Sequence, residues 1–354
     1  EWTFDVVEDN DSDVFHKAMP FNLPGHEPGI LTISANKSPR LALMKVWRRT
    51  AEGWKASILW KAEFGGRFNR FRDVEIGDVT GDGHPDLVVA THDQGVVLVL
   101  ENTGAGWRAI EIARTEERNF VHEIELGDVT GDGQLEIFAT PSAPNKIDGT
   151  PQPGKIVVFR RTAEGFTQHL IEEFPARHVK EILVADVEKT GKPDLFAVLE
   201  VGLPTTQTAT LDPGITVDII RYTFEGDQVS RTKIASLPDR QCRFLLCGDV
   251  DGDGSNELIA SAFKSGIWML KREDGQWLTD RIDADSSGYE HASVLADLDR
   301  DGRLEIYAAG DDQQQLCRYR WDGKQFERTV IQETIPDKMT WGLMPCLDAK
   351  CLNP

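Results

Sequence analysis

The stretch GDVTGDGHPDL, residues 77–87, decides the architecture of this chain. It sets oxygen-bearing side chains at Asp78, Thr80, Asp82 and Asp86, loop positions 1, 3, 5 and 9, with Gly83 at position 6. A glycine there permits a sharp turn, and position 7 can offer its carbonyl. Such a loop wraps a hard cation like Ca²⁺ in six or more oxygens. Outward from it the pattern returns four times: GDVTGDGQLEI at 127–137, ADVEKTGKPDL at 185–195, GDVDGDGSNEL at 248–258 and ADLDRDGRLEI at 296–306. The leading aspartates, Asp78, Asp128, Asp186, Asp249 and Asp297, are 50, 58, 63 and 48 residues apart. A short apolar run precedes each segment and another follows. A third run comes next, and a fourth opens on Trp54, Trp107, Phe166, Trp277 or Phe326. No stretch keeps a helical period. Four short strands per repeat of about 50 residues make a β-propeller blade.

The expected fold is therefore all-β, one propeller domain of four-stranded blades over residues 1–354. First strands starting at His16, Arg72, His122, Lys180, Arg243, His291 and Thr340 count seven blades. Residues 2–8 read as an orphan fourth strand and 339–347 as an orphan first strand, so the two termini would share one closing blade. Six blades is the alternative count.

Three further loops keep the oxygen set: Asp128, Thr130, Asp132, Glu136; Asp249, Asp251, Asp253, Glu257; and Asp297, Asp299, Asp301, Glu305. The fourth-blade loop has Lys189 and Thr190 where Gly and Asp would stand. It is expected to bind weakly or not at all, with Lys189 standing in for the ion. On these motifs the chain resembles the FG-GAP or VCBS repeats, the calcium-binding blades also found in integrin α-subunit propellers. The resemblance spans nearly the whole chain. It implies about four structural Ca²⁺ sites and a calcium-rich compartment, secreted, periplasmic or extracellular. A start at Glu1 fits a mature chain whose leader was removed. Such propellers serve in adhesion proteins, lectins, polysaccharide lyases and sugar dehydratases, so the fold leaves the function open.

The chain has 354 residues, 39 basic against 59 acidic, and a formal charge of -20. This excess excludes nucleic acid as a partner, because phosphates need clustered Lys and Arg. No apolar run is long enough to insert in a membrane as a helix, and the chain reads as a monomer. Four Ca²⁺ ions would raise the charge from -20 to -12. Much of the acidity would then be a metal requirement of one face. Five cysteines leave at least one thiol unpaired. Cys346 and Cys351 flank a turn-like segment and could bridge, while Cys242 and Cys247 stand too far apart along one strand to do so.

The opposite face carries the candidate chemistry. Five residues before each Gly-Asp or Ala-Asp stand Arg72, His122, Lys180, Arg243 and His291, with His16 in the first blade. These positions start the innermost strands and should ring the channel mouth. His92, Asp93, Lys146, Glu200, Lys264, Asp311 and Asp312 converge there from loops between second and third strands. His178 could replace Lys180 in the ring. Two chemistries remain open. His16, His122 and His291 could bind a transition metal. Alternatively, neutral imidazoles could act as acid and base while Arg72, Lys180 and Arg243 hold an anionic group. The leading expectation is an enzyme of lyase or dehydratase type acting on a carbohydrate or other small polar or anionic substrate. A lectin-like or adhesion module binding glycan or protein without chemistry is the alternative. The nine tryptophans read mostly as blade packing, with Trp341 as a channel exception.

Overall fold

The computed structural model describes residues 2–36, 40–65, 69–115, 120–143, 153–201, 214–333 and 339–346. They form six antiparallel four-stranded meanders. Sheet one holds β1 (Ser12–Phe21), β2 (Gly29–Asn36), β3 (Ala42–Thr50) and β4 (Gly53–Ala62). Sheet two holds β5 (Phe71–Gly77), β6 (Asp86–Thr91), β7 (Val96–Asn102) and β8 (Trp107–Arg114). Sheet three holds β9 (Phe120–Gly127), β10 (Glu136–Ser142), β11 (Gly154–Thr162) and β12 (Gly165–Phe174). Sheet four holds β13 (Arg177–Ala185), β14 (Asp194–Val201), β15 (Val217–Glu225) and β16 (Gln228–Leu237). Sheet five holds β17 (Cys242–Gly248), β18 (Glu257–Ala262), β19 (Ile267–Glu273) and β20 (Gln276–Asp283). Sheet six holds β21 (Ser293–Ala296), β22 (Glu305–Gly310), β23 (Gln315–Trp321) and β24 (Phe326–Glu333).

The second strands β6, β10, β18 and β22 are buried at every position. A strand buried on both faces loses the alternating pattern, which is why these segments read as continuous apolar runs. The fourth strands β8 and β20 have no buried position and form the outer edge. Hydrophobic cores lie between sheets rather than within them. One core joins sheets one and two through Phe21, Leu31, Phe71 and Leu87. The next joins two and three through Val88, Val99, Ile124 and Phe159. Others join three and four, four and five, and five and six. The aromatics that open the fourth strands, Trp107, Phe166, Trp277 and Phe326, pack onto these cores.

The structure corrects the seven-blade count: among the described residues there are six sheets. Residues 2–8 and 339–346 form no strand. They run instead through the seam between sheets six and one. Trp2 meets Tyr307 of β22 at 6.2 Å, and Asp9 pairs with Lys45 of β3 at 2.7 Å. The Thr340 N–H donates to Asp311 at 3.1 Å, and Trp341 meets His16 edge-on at 5.5 Å. The even spacing of Trp2, Phe4 and Val6 looks strand-like. A strand also needs a partner for its backbone groups, and these side chains stay exposed. A cavity of about 360 Å³, walled by Trp47, Trp54 and Trp341, opens in this seam. Cys351 lies outside the described residues, and with it the Cys346–Cys351 bridge.

Candidate functional site

The first strands line the channel, and five of the six carry an irregularity at the mouth end. One extra residue interrupts the pairing with the second strand at His16, at Arg72, within His122 and Glu123, at Lys180 and at Arg243. A β-bulge re-aims the side chain it carries. Here it turns two consecutive residues toward the channel where strict alternation would allow one.

The upper layer is a row of imidazoles. His16 stacks on His92 with ring centroids 5.6 Å apart. His92, from the loop after β6, meets His122 at 5.6 Å, and His122 meets His178 at 5.0 Å. His16, His122 and His178 are 6%, 2% and 1% exposed. Nε2 of His16 and both ring nitrogens of His122 and His178 are buried without a hydrogen-bond partner. Burial, with Arg72 or Lys180 adding to it, holds these three imidazoles well below their ordinary range, so they are neutral at pH 7. Burial likewise brings His92 down to about 4, even though Asp93 lies 3.1 Å from its Nδ1.

Cations and their partners complete the mouth. Arg72 reaches His16 Nδ1 at 3.4 Å. Buried Arg243 donates to Glu290 at 2.7 Å and to Glu200 at 3.3 Å, and its guanidinium lies over the Tyr289 ring at 4.8 Å. Lys180 is 2% exposed; burial and then Arg243 lower its amine to about 7. Lys264 turns aside to Asp312 at 2.6 Å, and Lys146 lies outside the described residues.

His291 does not join the row. It precedes β21, has φ +53°, and spends its ring nitrogens on the Ala262 carbonyl and Ser286 Oγ, both at 2.7 Å. It pins sheet six to sheet five. His16, His122 and His291 therefore do not converge on one metal position. The remaining imidazoles stand in file, and no three of their ring nitrogens cluster as metal ligands among the described residues.

A second layer was missed at the sequence level: Lys17, Asp73, Glu75, Glu123, Glu125 and Glu181. Lys17 donates to Asp73 at 2.8 Å and to Glu75. Asp73 also accepts the Ile124 N–H of the next blade at 2.8 Å, and Glu181 accepts that of Leu245 at 2.7 Å. These carboxylates staple neighbouring first strands. Burial, then carboxylate neighbours, push Glu123 and Glu125 well above the usual range, and burial does the same to Glu181. The signal was present in the doublets His16-Lys17, Arg72-Asp73, His122-Glu123 and Lys180-Glu181.

The aspartate loops occupy the opposite end. Position 1 closes the turn in all five: Asp78 accepts from Gly81 and Gly83, Asp128 from Gly131 and Gly133, Asp186 from Thr190 and Gly191, Asp249 from Gly252 and Gly254, Asp297 from Asp301 and Gly302. Position 5 braces position 7: Asp82, Asp132, Asp253 and Asp301 each accept the N–H two residues on. Position 9 divides them. Asp86 and Glu136 accept the hydroxyls of Thr80 and Thr130, each at 3.0 Å. In the fifth and sixth blades position 3 is aspartate, which cannot donate. Asp249, Asp251 and Glu257, and likewise Asp297, Asp299 and Glu305, gather carboxylate oxygens within 4.8 Å of one another. Oε1 of Glu257 and of Glu305 is buried without a hydrogen-bond partner. These two loops fit a hard cation. In the fourth blade Lys189 does not stand in for an ion; its ammonium reaches over to the Gly254 carbonyl at 2.6 Å.

A model of the FG-GAP-like repeat matches residues 78–139 and 249–308. No curated protein matches the chain in sequence. Among solved structures it is similar to the periplasmic gluconolactonase of Pseudomonas aeruginosa, at 13% identity and a TM-score of 0.54, covering 93% of this chain and 87% of that one. It is similar to the GH93 α-L-arabinofuranosidase of Fusarium graminearum, at 12% identity and a TM-score of 0.51, covering 92% and 95%. An Agrocybe aegerita lectin that recognises non-reducing terminal N-acetylglucosamine matches at 16% identity and a TM-score of 0.52, covering 90% and 81%. At such identities the likeness is one of fold. The chain is thus a β-propeller of four-stranded blades that carries FG-GAP-like repeats over residues 78–139 and 249–308.

Proposed function

We propose that the channel mouth is the active site of an enzyme of lyase or dehydratase type, acting on a small polyhydroxylated anion of the carbohydrate class. The observation that carries this is the file of buried imidazoles with unpartnered nitrogens. An unpaired buried ring nitrogen costs about 1–3 kcal/mol, and a ligand's hydroxyls would recover that cost. Elimination needs a base near a C–H bond and an acid near the departing oxygen. Neutral His122 and His178 can take and return a proton, while Arg72 attracts the anionic end. Propellers of similar fold acting on or binding carbohydrates agree with this substrate class. The fifth- and sixth-blade loops bind structural Ca²⁺ while the second- and third-blade loops stay closed turns, and the protein works where calcium is plentiful, outside the cytoplasm.

The test is turnover of a panel of uronic acids, aldonates and their oligosaccharides, followed by the ultraviolet absorbance of an unsaturated product. The paired substitution His122→Gln and His178→Gln should lower kcat/KM at least about 100-fold. Unchanged turnover in that variant overturns the reading.

A further inference from the structure

We propose that Lys180 is a nucleophilic amine that forms an imine with a small carbonyl compound bearing a carboxylate. This rests on the reading of the channel mouth as an active site and specifies its substrate as an aldehyde or ketone acid.

The bulge in β13 at Lys180 turns its side chain into the channel. Other lysines drawn inside the protein are clamped: Lys17 by Asp73 and Glu75, Lys45 by Asp9 and Ser12. Lys180 has no hydrogen bond or ion pair to its ammonium among the described residues. The groups that face it are Arg72 on β5, His122 on β9, His178 on β13, Glu200 on β14, Arg243 on β17 and Glu290 before β21. Both carboxylates are paired with Arg243, at 3.3 and 2.7 Å, and their pull on a Lys180 proton is outweighed by burial and by Arg243 itself. Burial beside a second cation is how an amine becomes nucleophilic at neutral pH, and Lys180 titrates near 7 for that reason. Arg72 makes no ion pair among the described residues, so its guanidinium is available to a carboxylate.

The step balances without a co-reactant. The Lys180 nitrogen lone pair attacks the carbonyl carbon, and the C=O pair moves to oxygen. The nitrogen gives one proton to the unpartnered nitrogen of His122 or His178, which passes it to that oxygen to make a carbinolamine. The second nitrogen proton follows by the same imidazole to the hydroxyl, which leaves as water, and a C=N bond remains. The imine draws electrons from the neighbouring carbon and acidifies its C–H, which is what an elimination needs.

Glyoxylate is the probe, with cyanoborohydride supplying the hydride that converts an imine to carboxymethyl-lysine. Peptide mass mapping follows each lysine of the wild-type protein across a pH series. At pH 7 Lys180 should be modified on the order of tenfold faster than exposed Lys55 and Lys61, with its rate half-maximal near pH 7. The neutral, reactive form of Lys180 gains as pH rises through that value. Modification of Lys180 no faster than Lys55, or with the same pH profile, overturns the proposal. So does full turnover by a Lys180→Met variant of any substrate that the His122 and His178 variant fails to turn over; in that outcome the active-site reading stands and only the imine falls.

Discussion

The second-blade and fifth-blade loops differ at position 3, Thr80 against Asp251, and that difference divides the molecule's carboxylates into two kinds. Thr80 can donate. Its hydroxyl and N–H, the Val79 N–H and the Asn102 N–H all go to Asp86, so that carboxylate is satisfied inside the protein. Asp251 cannot donate to Glu257, and two carboxylates face each other. Burial, with Asp251 and Asp253 adding to it, raises Glu257 to about 7. Lys271 enters from β19 and donates to Asp251 and Asp253, both at 2.6 Å. Arg320 does the same for Asp301 in the sixth blade at 2.5 Å. The same repeat therefore makes a closed turn in one blade and a cation-seeking cup in another.

The sharpest way to break this contrast is Asp86→Ala. It orphans several buried donors and should cost about 3 kcal/mol of stability in urea unfolding, by the same amount with calcium or with chelator. A loss that calcium repairs would place a metal in the second-blade loop as well. Next in size is the paired Glu257→Ala and Glu305→Ala variant. Wild-type protein with Ca²⁺ at about 10 times its Kd should gain roughly 1.4 kcal/mol at each of the two loops, about 2.8 kcal/mol together, over chelated protein. The variant should lose most of that gain, seen as a calcium-insensitive Tm. If its Tm still rises with calcium as in the wild type, the fifth and sixth loops are not the binding cups. The smallest effect belongs to Lys271→Met. It removes the internal cation that competes for Asp251 and Asp253, so calorimetry should find the affinity of that loop about tenfold higher, worth ~1.4 kcal/mol. Weaker binding would show that Lys271 assists the ion rather than competing with it.

Much of the channel mouth was legible before any coordinates. Arg72, His122, Lys180 and Arg243 stand at one offset from the aspartate loops, with His16 aligned to them in the first blade, and a shared offset in a repeat means a shared place. The same counting misled at His291. In the sixth blade β21 is only four residues long, and the left-handed turn at His291 points the ring back to Ala262. The place of His178 beside His122, and the acidic layer beneath, depend on bulges. A bulge is a property of two paired strands, so one strand read alone does not reveal which of two adjacent polar residues faces the channel. The count of seven failed for a related reason, since residues 2–8 have strand spacing but no partner strand among the described residues.

By itself the sequence determined the repeat, the four-stranded blade and the turn role of every leading aspartate, because these follow from short-range spacing and local hydrogen bonding. Tertiary structure alone decided the number of sheets, the union of His16, His92, His122 and His178 into one file, and which loops are left with an unsatisfied carboxylate. Those outcomes depend on groups from different blades meeting in a space that excludes most water. There, burial and neighbouring charge, rather than residue identity, decide which groups hold a proton.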